Sequence, residues 1–347
     1  MLTALLMILV ADVLIFVHEI GHFVAARYLG MPVTSFSVGF GPALFKRSWR
    51  GTEYRLALIP LGGYVRIEGM RGTEEERERW PNGFAFQRRW KRLVVIGAGV
   101  AANALLALFL YSLVSITGDW SGPVAARVVE VDQSILPPTA GWSSIPSNRT
   151  ITQVDASPVS DWSDLALTLL GTEEGFHVLE FDDGSSHRVW VPAAENAKIQ
   201  LLEALIPAAP DPVDNDLSEG VIAGTREVGR TAKLIAQSGG LLATGAIGIR
   251  QLSGPLEIAR VSERTLPMSW NQFLACLAFL SLNLAILNAL PIPVLDGGHF
   301  ALLVFEASVG RPLPAVLRRY STVAGATVIV FFMTFALLND LLRLFGY

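Results

Sequence analysis

The sequence predicts an α-helical membrane protein of four transmembrane helices with a small α+β domain outside the bilayer, and three observations carry that expectation. Of its 347 residues, 51% are hydrophobic and only 17% charged, with mean hydropathy +0.44, whereas soluble domains carry about 25% charged residues. Four apolar stretches approach the ~20 residues that a bilayer core requires. Between the second and third lies a polar segment, 118–220, with 4 Lys/Arg against 17 Asp/Glu. A net charge of −4 is too small to suggest a nucleic-acid partner. The single cysteine, Cys276, rules out an intrachain disulfide and a cysteine-built zinc site.

The first span runs from Leu2 to about Tyr28. It lacks a basic n-region and is too long and too polar at its centre for a cleavable signal. The second runs from Leu93 to about Ile116, the third from about Phe273 to Leu290, and the fourth from about Thr322 to Leu342. The third ends in "LNALPIPVLDGGHF", where Pro291 and Pro293 cannot continue a helix and Gly297 and Gly298 allow a tight turn. The apolar residues 301–309 beyond it read as a half-helix or interfacial segment. Basic residues set the orientation. Between the first two spans there are 13 Lys/Arg against 6 Asp/Glu, and the loop after the third carries Arg311, Arg318 and Arg319. These loops are expected on the cytoplasmic side, with the acidic segment and both termini outside. "EEERER", residues 74–79, reads as a solvated helix face.

The chain thus divides into an N-terminal membrane part, 1–117, an extracytoplasmic domain, 118–208, a linker with an amphipathic surface helix, 209–269, and a C-terminal membrane part, 270–347. The outer domain has strand-like runs such as "AARVVEVD", "HVLEFDD" and "HRVWVPA". A helix, "SDWSDLALTLLG", lies among them, with Ser160 or Asp161 as its cap. After the Pro/Asp-rich "IPAAPDPVDNDLSEG", Arg226, Arg230 and Lys233 interrupt an apolar-polar helical pattern and make it an amphipathic helix near the membrane surface, not a fifth span.

The chemistry concentrates in "FVHEIGHF". His18 and His22 are four residues apart and share one face of a helix, with Glu19 beside them. An H-E-x-x-H arrangement offers two zinc ligands and a general base. The plain alternative is a polar cluster holding a helix bundle together. Three ionisable groups within five residues of a span argue against it, since each costs at least ~2.5 kcal/mol at mid-bilayer. A third ligand is needed. His177 and His187 belong to the acidic domain, on the other side. Asp296, His299 and Glu306 sit near the cytoplasmic end of the third span, and Asp296 is favoured, with His299 next.

These features together resemble the site-2 protease family of intramembrane zinc metalloproteases. "FVHEIGHF" is similar to that family's zinc motif and "NALPIPVLDGGH" to its N-x-x-P-x-P-x-L-D-G motif; "VGFGPALF", "GTEYRLALIPLGGYVRI" and "LSGPLEIA" fit as well. The resemblance implies that His18, His22 and Asp296 bind Zn2+, that Glu19 is the catalytic base, and that Asn288 contacts the substrate backbone or oxyanion. A helix cap before Pro291 is the plain alternative for Asn288. The resemblance also implies a re-entrant β-loop that captures substrate, with Gly62, Gly63 and Tyr64 at the substrate, and a PDZ-like outer domain. One such domain fits where tandem pairs are usual in the family. Ala156 and Val100 stand where the family has glycine and proline, although Asn103 persists. Asp12 is unusual, either an acceptor behind the metal ligands or a residue near the outer leaflet.

The implied partners are single-pass transmembrane substrates of the anti-sigma-factor or remnant-signal-peptide type, together with membrane lipid and no nucleic acid, at the bacterial inner membrane. A second reading is a catalytically silent membrane adaptor that binds peptides through its outer domain. A third is a zincin facing water, which predicts cleavage of soluble unfolded protein.

Overall fold

The computed structural model describes residues 2–70, 72–117, 126–132, 141–207, 216–244, 270–310 and 314–344. The linker at 208–215, the "LSGPLEIA" motif and the segment 118–125 lie outside the described residues. The chain forms two compact units, 1–110 with 253–347, and 111–252.

In the first unit, α1 (Leu2–Tyr28) is a continuous helix. It ends where left-handed Gly30 lets the Met31 amide bond back to the Ala26 carbonyl at 2.8 Å. Two long strands follow, β1 (Val33–Trp49) and β2 (Thr52–Ile67), joined by Arg50 and Gly51, both at positive φ. They pair as an antiparallel hairpin from Trp49–Thr52 to Val33–Ile67. The hairpin folds over on itself. Residues 35–38 also pair with 53–56, both numbers rising together, so 33–38 lies between the two halves of β2. The outer edge of 63–67 has no strand partner among the described residues. Then come α2 (Glu74–Arg79), capped by Thr73 and without buried residues, and α3 (Arg89–Ile116). The unit closes with α7 (Trp270–Ala289), α8 (Asp296–Val309) and α9 (Ala315–Leu344). Ala26, Met31, Val33, Phe84, Val95, Ile96 and Leu303 form a buried cluster that ties α1, β1, α3 and α8 together.

Among the described residues, three helices are long and apolar enough to cross a membrane: Leu9–Tyr28 of α1, α3 and α7. The apolar part of α9 is shorter, Tyr320–Phe335. The sequence reading of the segment after the prolines needs correction. Gly297 and Gly298 do not form a turn; α8 begins at Asp296 itself, because Ile292, Val294 and Leu295 reverse the chain through short-range backbone bonds. A Cβ on Gly297 would lie 2.2 Å from the Ala289 carbonyl oxygen, and one on Gly298 would lie 2.1 Å from that of Ile292. Both glycines are there so that α8 can start hard against the end of α7.

The second unit holds β3 (Arg127–Val131), β4 (Arg149–Val154), β5 (Ser157–Pro158), α4 (Trp162–Gly171), β6 (Gly175–Phe181), β7 (Ser186–Val191), α5 (Glu195–Ala204), β8 (Leu205–Pro207) and α6 (Leu217–Thr244). The strand order is β7-β6-β4-β3-β8, with β5 on β4. Trp142, Ile151, Leu165, Leu169, Leu179 and Leu201 fill its core. Asp161 caps α4, its Oδ1 accepting from the Asp164 amide at 3.0 Å. The amphipathic pattern of α6 is used within this unit. Arg230 pairs with buried Asp161 at 3.2 Å and with Glu227 at 2.6 Å. Gly224 lets the helix press against Ser112, whose Oγ lies 2.3 Å from where a Cβ would be.

The β4–β5 turn carries strain. Asp155 (φ 48) and Ala156 (φ 64) are both left-handed, as a two-residue hairpin of the primed type requires. Asp155 tolerates this, and its carboxylate accepts from the Val178 amide at 2.8 Å. Ala156 gains nothing in return. Ala156→Gly is expected to stabilise this unit by about 0.5–1 kcal/mol, read as a higher unfolding temperature of the full chain in detergent.

Candidate metal centre

The site is built where α1, β2, α3 and α8 meet. His18 and His22 project from one face of α1, and Asp296 is the first residue of α8. The His18 Nε2 and His22 Nε2 atoms are 3.1 Å apart. Asp296 Oδ2 lies 3.1 Å from the first and 3.2 Å from the second. This is the only group of three or more potential ligands among the described residues.

Local chemistry fixes which atoms face inward. His22 Nδ1 donates to the Val95 carbonyl of α3 at 2.7 Å, so the ring proton sits there and Nε2 carries a lone pair. That lone pair faces a carboxylate oxygen that has no hydrogen-bond partner of its own. Three electron-rich atoms at these distances repel unless a cation lies among them. Tetrahedral zinc, with ligands at 2.0–2.1 Å, spaces its ligand atoms about 3.3 Å apart. The donor set and its spacing fit that ion.

The part α3 plays at the site lies in its small residues. A Cβ on Gly99 would lie 2.4 Å from His22 Nε2 and 2.7 Å from His18 Nε2. On the α1 side, a Cβ on Gly21 would lie 2.3 Å from the Ala98 carbonyl oxygen. The small residues of "GAGVAAN" therefore let two helix backbones close on the imidazoles; the only signal for this was glycine spacing inside an apolar run.

Glu19 turns toward β2. Its Cγ is 3.6 Å from where a Gly63 Cβ would be, and the Val65 backbone amide acts on its carboxylate. A cleft of about 620 Å³ is lined by Glu19, His22 and Asp296 together with Tyr64, Val65 and Ile67 of β2. His299 and Glu306 line the same cleft but stand outside the three-atom group. Of the expected substrate residues, Tyr64 lines the cleft, Gly63 touches Glu19, and Gly62 lies at the bend before them. Asn288 is half-buried in the last turn of α7, is not among the lining residues, and makes no hydrogen bond among the described residues. His177 is engaged elsewhere, with Asp155 and the Glu173 carbonyl.

The sequence profile of peptidase family M50 matches residues 4–332. The chain belongs to peptidase family M50. Among the M50 relatives, a candidate zinc metalloprotease of Ralstonia nicotianae is 30% identical, with 99% of each chain covered. One of Agrobacterium fabrum is 30% identical over 98% of this chain and 95% of its own. One of Fusobacterium nucleatum is 26% identical over 99% of this chain and 100% of its own. The Ralstonia alignment runs to 458 positions and the Fusobacterium one to 348. This M50 chain therefore has the length of the latter and lacks roughly a domain's worth of sequence found in the former.

The contact at Gly99 is testable. Gly99→Ala is expected to lower the zinc content of the purified protein at least about tenfold, measured by elemental analysis. Gly97→Ala, whose Cβ meets nothing within 4 Å, is expected to keep it.

Proposed function

We propose that this chain is an intramembrane zinc endopeptidase that cleaves single-pass transmembrane proteins in or near the bilayer. The observation that carries the proposal is the convergence of His18, His22 and Asp296 beside Glu19, on a helix apolar and long enough to span, against an open strand edge. The family membership and the names of the relatives support the peptidase chemistry and the metal.

His18, His22 and Asp296 are the residues that would hold zinc. Zinc, when bound, supplies a Lewis acid that lowers the pKa of water to about 7. Glu19 takes the proton of the attacking water and returns it to the leaving amine. Residues 63–67 of β2 hold the substrate as an added strand. A peptide bond inside a transmembrane helix is shielded by its own hydrogen bonds, and an edge strand offers the unwound segment replacement partners. Asn288 is assigned to the substrate backbone near the scissile carbonyl, a role that requires it to turn into the cleft when substrate is bound.

The exposed Phe40, Leu44, Phe45, Leu56, Leu58 and Ile59 of the hairpin support a re-entrant loop in contact with lipid. α9 is read as the fourth span and the β3–β8 unit as a PDZ-like domain outside the bacterial inner membrane, with both termini on that side. Substrates of the anti-sigma-factor or remnant-signal-peptide type, shortened first by another protease, fit an active site on the cytoplasmic half of the first span; their cleavage is regulated intramembrane proteolysis.

The purified chain is expected to cut a tagged single-span substrate, and a zinc chelator is expected to stop it. Glu19→Gln is expected to lower kcat by 10²–10⁴, as is typical for loss of a general base, with zinc retained. Undiminished cleavage by Glu19→Gln sinks the proposal; a wild-type chain that binds single-span peptides and never cuts them is an adaptor.

A further inference from the structure

We infer that Asp12 is a positioning residue for substrate capture, its carboxylate pinning the outer end of the β2 edge strand. The inference rests on the intramembrane peptidase reading of the same cleft.

Asp12 lies on α1 six residues before His18, about 9 Å along the helix axis. A carboxylate inside a span is costly and marks a specific use. Its Oδ1 accepts the Gly62 amide at 3.1 Å, and this is the one bond that Asp12 makes among the described residues. Gly62 is the bend of β2, at φ +116, with the Phe40 ring 2.9 Å from where a Cβ would be. Gly62 is buried and has no partner in the strand register, which passes from Ile59 to Gly63. Its amide would otherwise be a buried orphan donor, a cost comparable to a lost hydrogen bond.

The far end of the same segment is fixed differently. The Glu68 amide donates to the Pro32 carbonyl at 2.9 Å, and Ile67 pairs with Val33. Residues 63–67 are thus held at both ends and along one edge by 33–38. The other edge is left open beside Glu19, with Tyr64, Val65 and Ile67 facing the cleft. A peptide added to that edge pairs with a strand already fixed in place, so releasing the Gly62 end weakens its capture and leaves the groups around Glu19 and His22 where they are. Of the two pins, only the Asp12 one is a side chain, and only it can be removed without touching the strand.

The test uses the full-length protein in nanodiscs with a tagged single-span substrate. Asp12→Ala is expected to raise KM about 5- to 10-fold, the scale of one lost hydrogen bond, with kcat within about twofold of wild type. Asp12→Asn keeps an accepting Oδ1 and is expected to restore the wild-type KM. Hydrogen exchange over 58–67 reads the pin without any activity: faster in Asp12→Ala, unchanged in Asp12→Asn, with zinc content equal in all three proteins. Unaltered exchange in Asp12→Ala, an Asp12→Asn variant as impaired as Asp12→Ala, or a loss confined to kcat overturns the inference. If the wild type cuts nothing, the peptidase reading fails, and the exchange measurement alone then decides whether the pin exists.

Discussion

Two imidazole nitrogens and a carboxylate oxygen held 3.1–3.2 Å apart form the constraint on which the rest of this structure depends. Like-sign lone pairs do not collect at that distance in a low-dielectric setting without a cation to hold them. Every nearby element serves the convergence. The Val95 carbonyl fixes the His22 tautomer, and Gly99 and Gly21 allow α3 to come within backbone contact of α1. The two prolines and two glycines after α7 start α8 so that its first residue, Asp296, stands against both imidazoles. Asp296 also sits at a helix N-terminus, where an anionic side chain is favoured by the exposed amides.

The hairpin answers a separate problem. Long strands with apolar side chains exposed on the bends are a liability in water, because open edges pair indiscriminately. Here one edge of 63–67 is left open beside Glu19, while the exposed apolar residues gather at the 40–45 and 56–59 bends. Folding the hairpin over on itself pairs 35–38 on both sides and stiffens the strand that borders the cleft. A rigid edge next to Glu19 is what a hydrolytic site needs, since misplacement by about 1 Å can cost 10²-fold in rate.

Much of this was legible in the residues, and what was missed has physical reasons. The HEIGH spacing and the proline-broken "LPIPVLDGG" announce their chemistry because few other uses justify charged groups and helix breakers in apolar runs. The apolar stretch from Leu2 to about Tyr28 falls on α1, of which Leu9–Tyr28 is long and apolar enough to cross a membrane. Gly99 was invisible as a functional residue, because a glycine in an apolar helix is read as a packing device, and close approach to an imidazole is a property of two helices at once. The start of α8 was misread because paired glycines argue for a turn locally, while tertiary contact with the Ala289 and Ile292 carbonyls demands them inside a helix. The partner of Asp12 could not be foreseen either, since Gly62 is 50 residues away. The amphipathic pattern of α6 was equally ambiguous, since a polar stripe serves a headgroup layer or ion pairs such as Arg230–Asp161 equally well.

The proposed hydrolysis within a bilayer would need water at a place built to exclude it. A cleft of about 620 Å³ has room for water at ~30 Å³ per molecule, and the polar groups that line it, Glu19, Arg92, His299 and Glu306, offer that water partners. A wholly apolar cavity of about 150 Å³ stays dry, so the second set of polar side chains on α3 and α8 has a use even though it stands apart from the three-atom group. It wets the approach to Glu19 from the end of the first span where basic residues outnumber acidic ones. The same hydration lowers the cost of keeping a carboxylate and two imidazoles inside the span. The groups that would make the site expensive in lipid and the groups that would admit water are thus neighbours on the same walls, so the proposed chemistry and its water supply draw on one cleft.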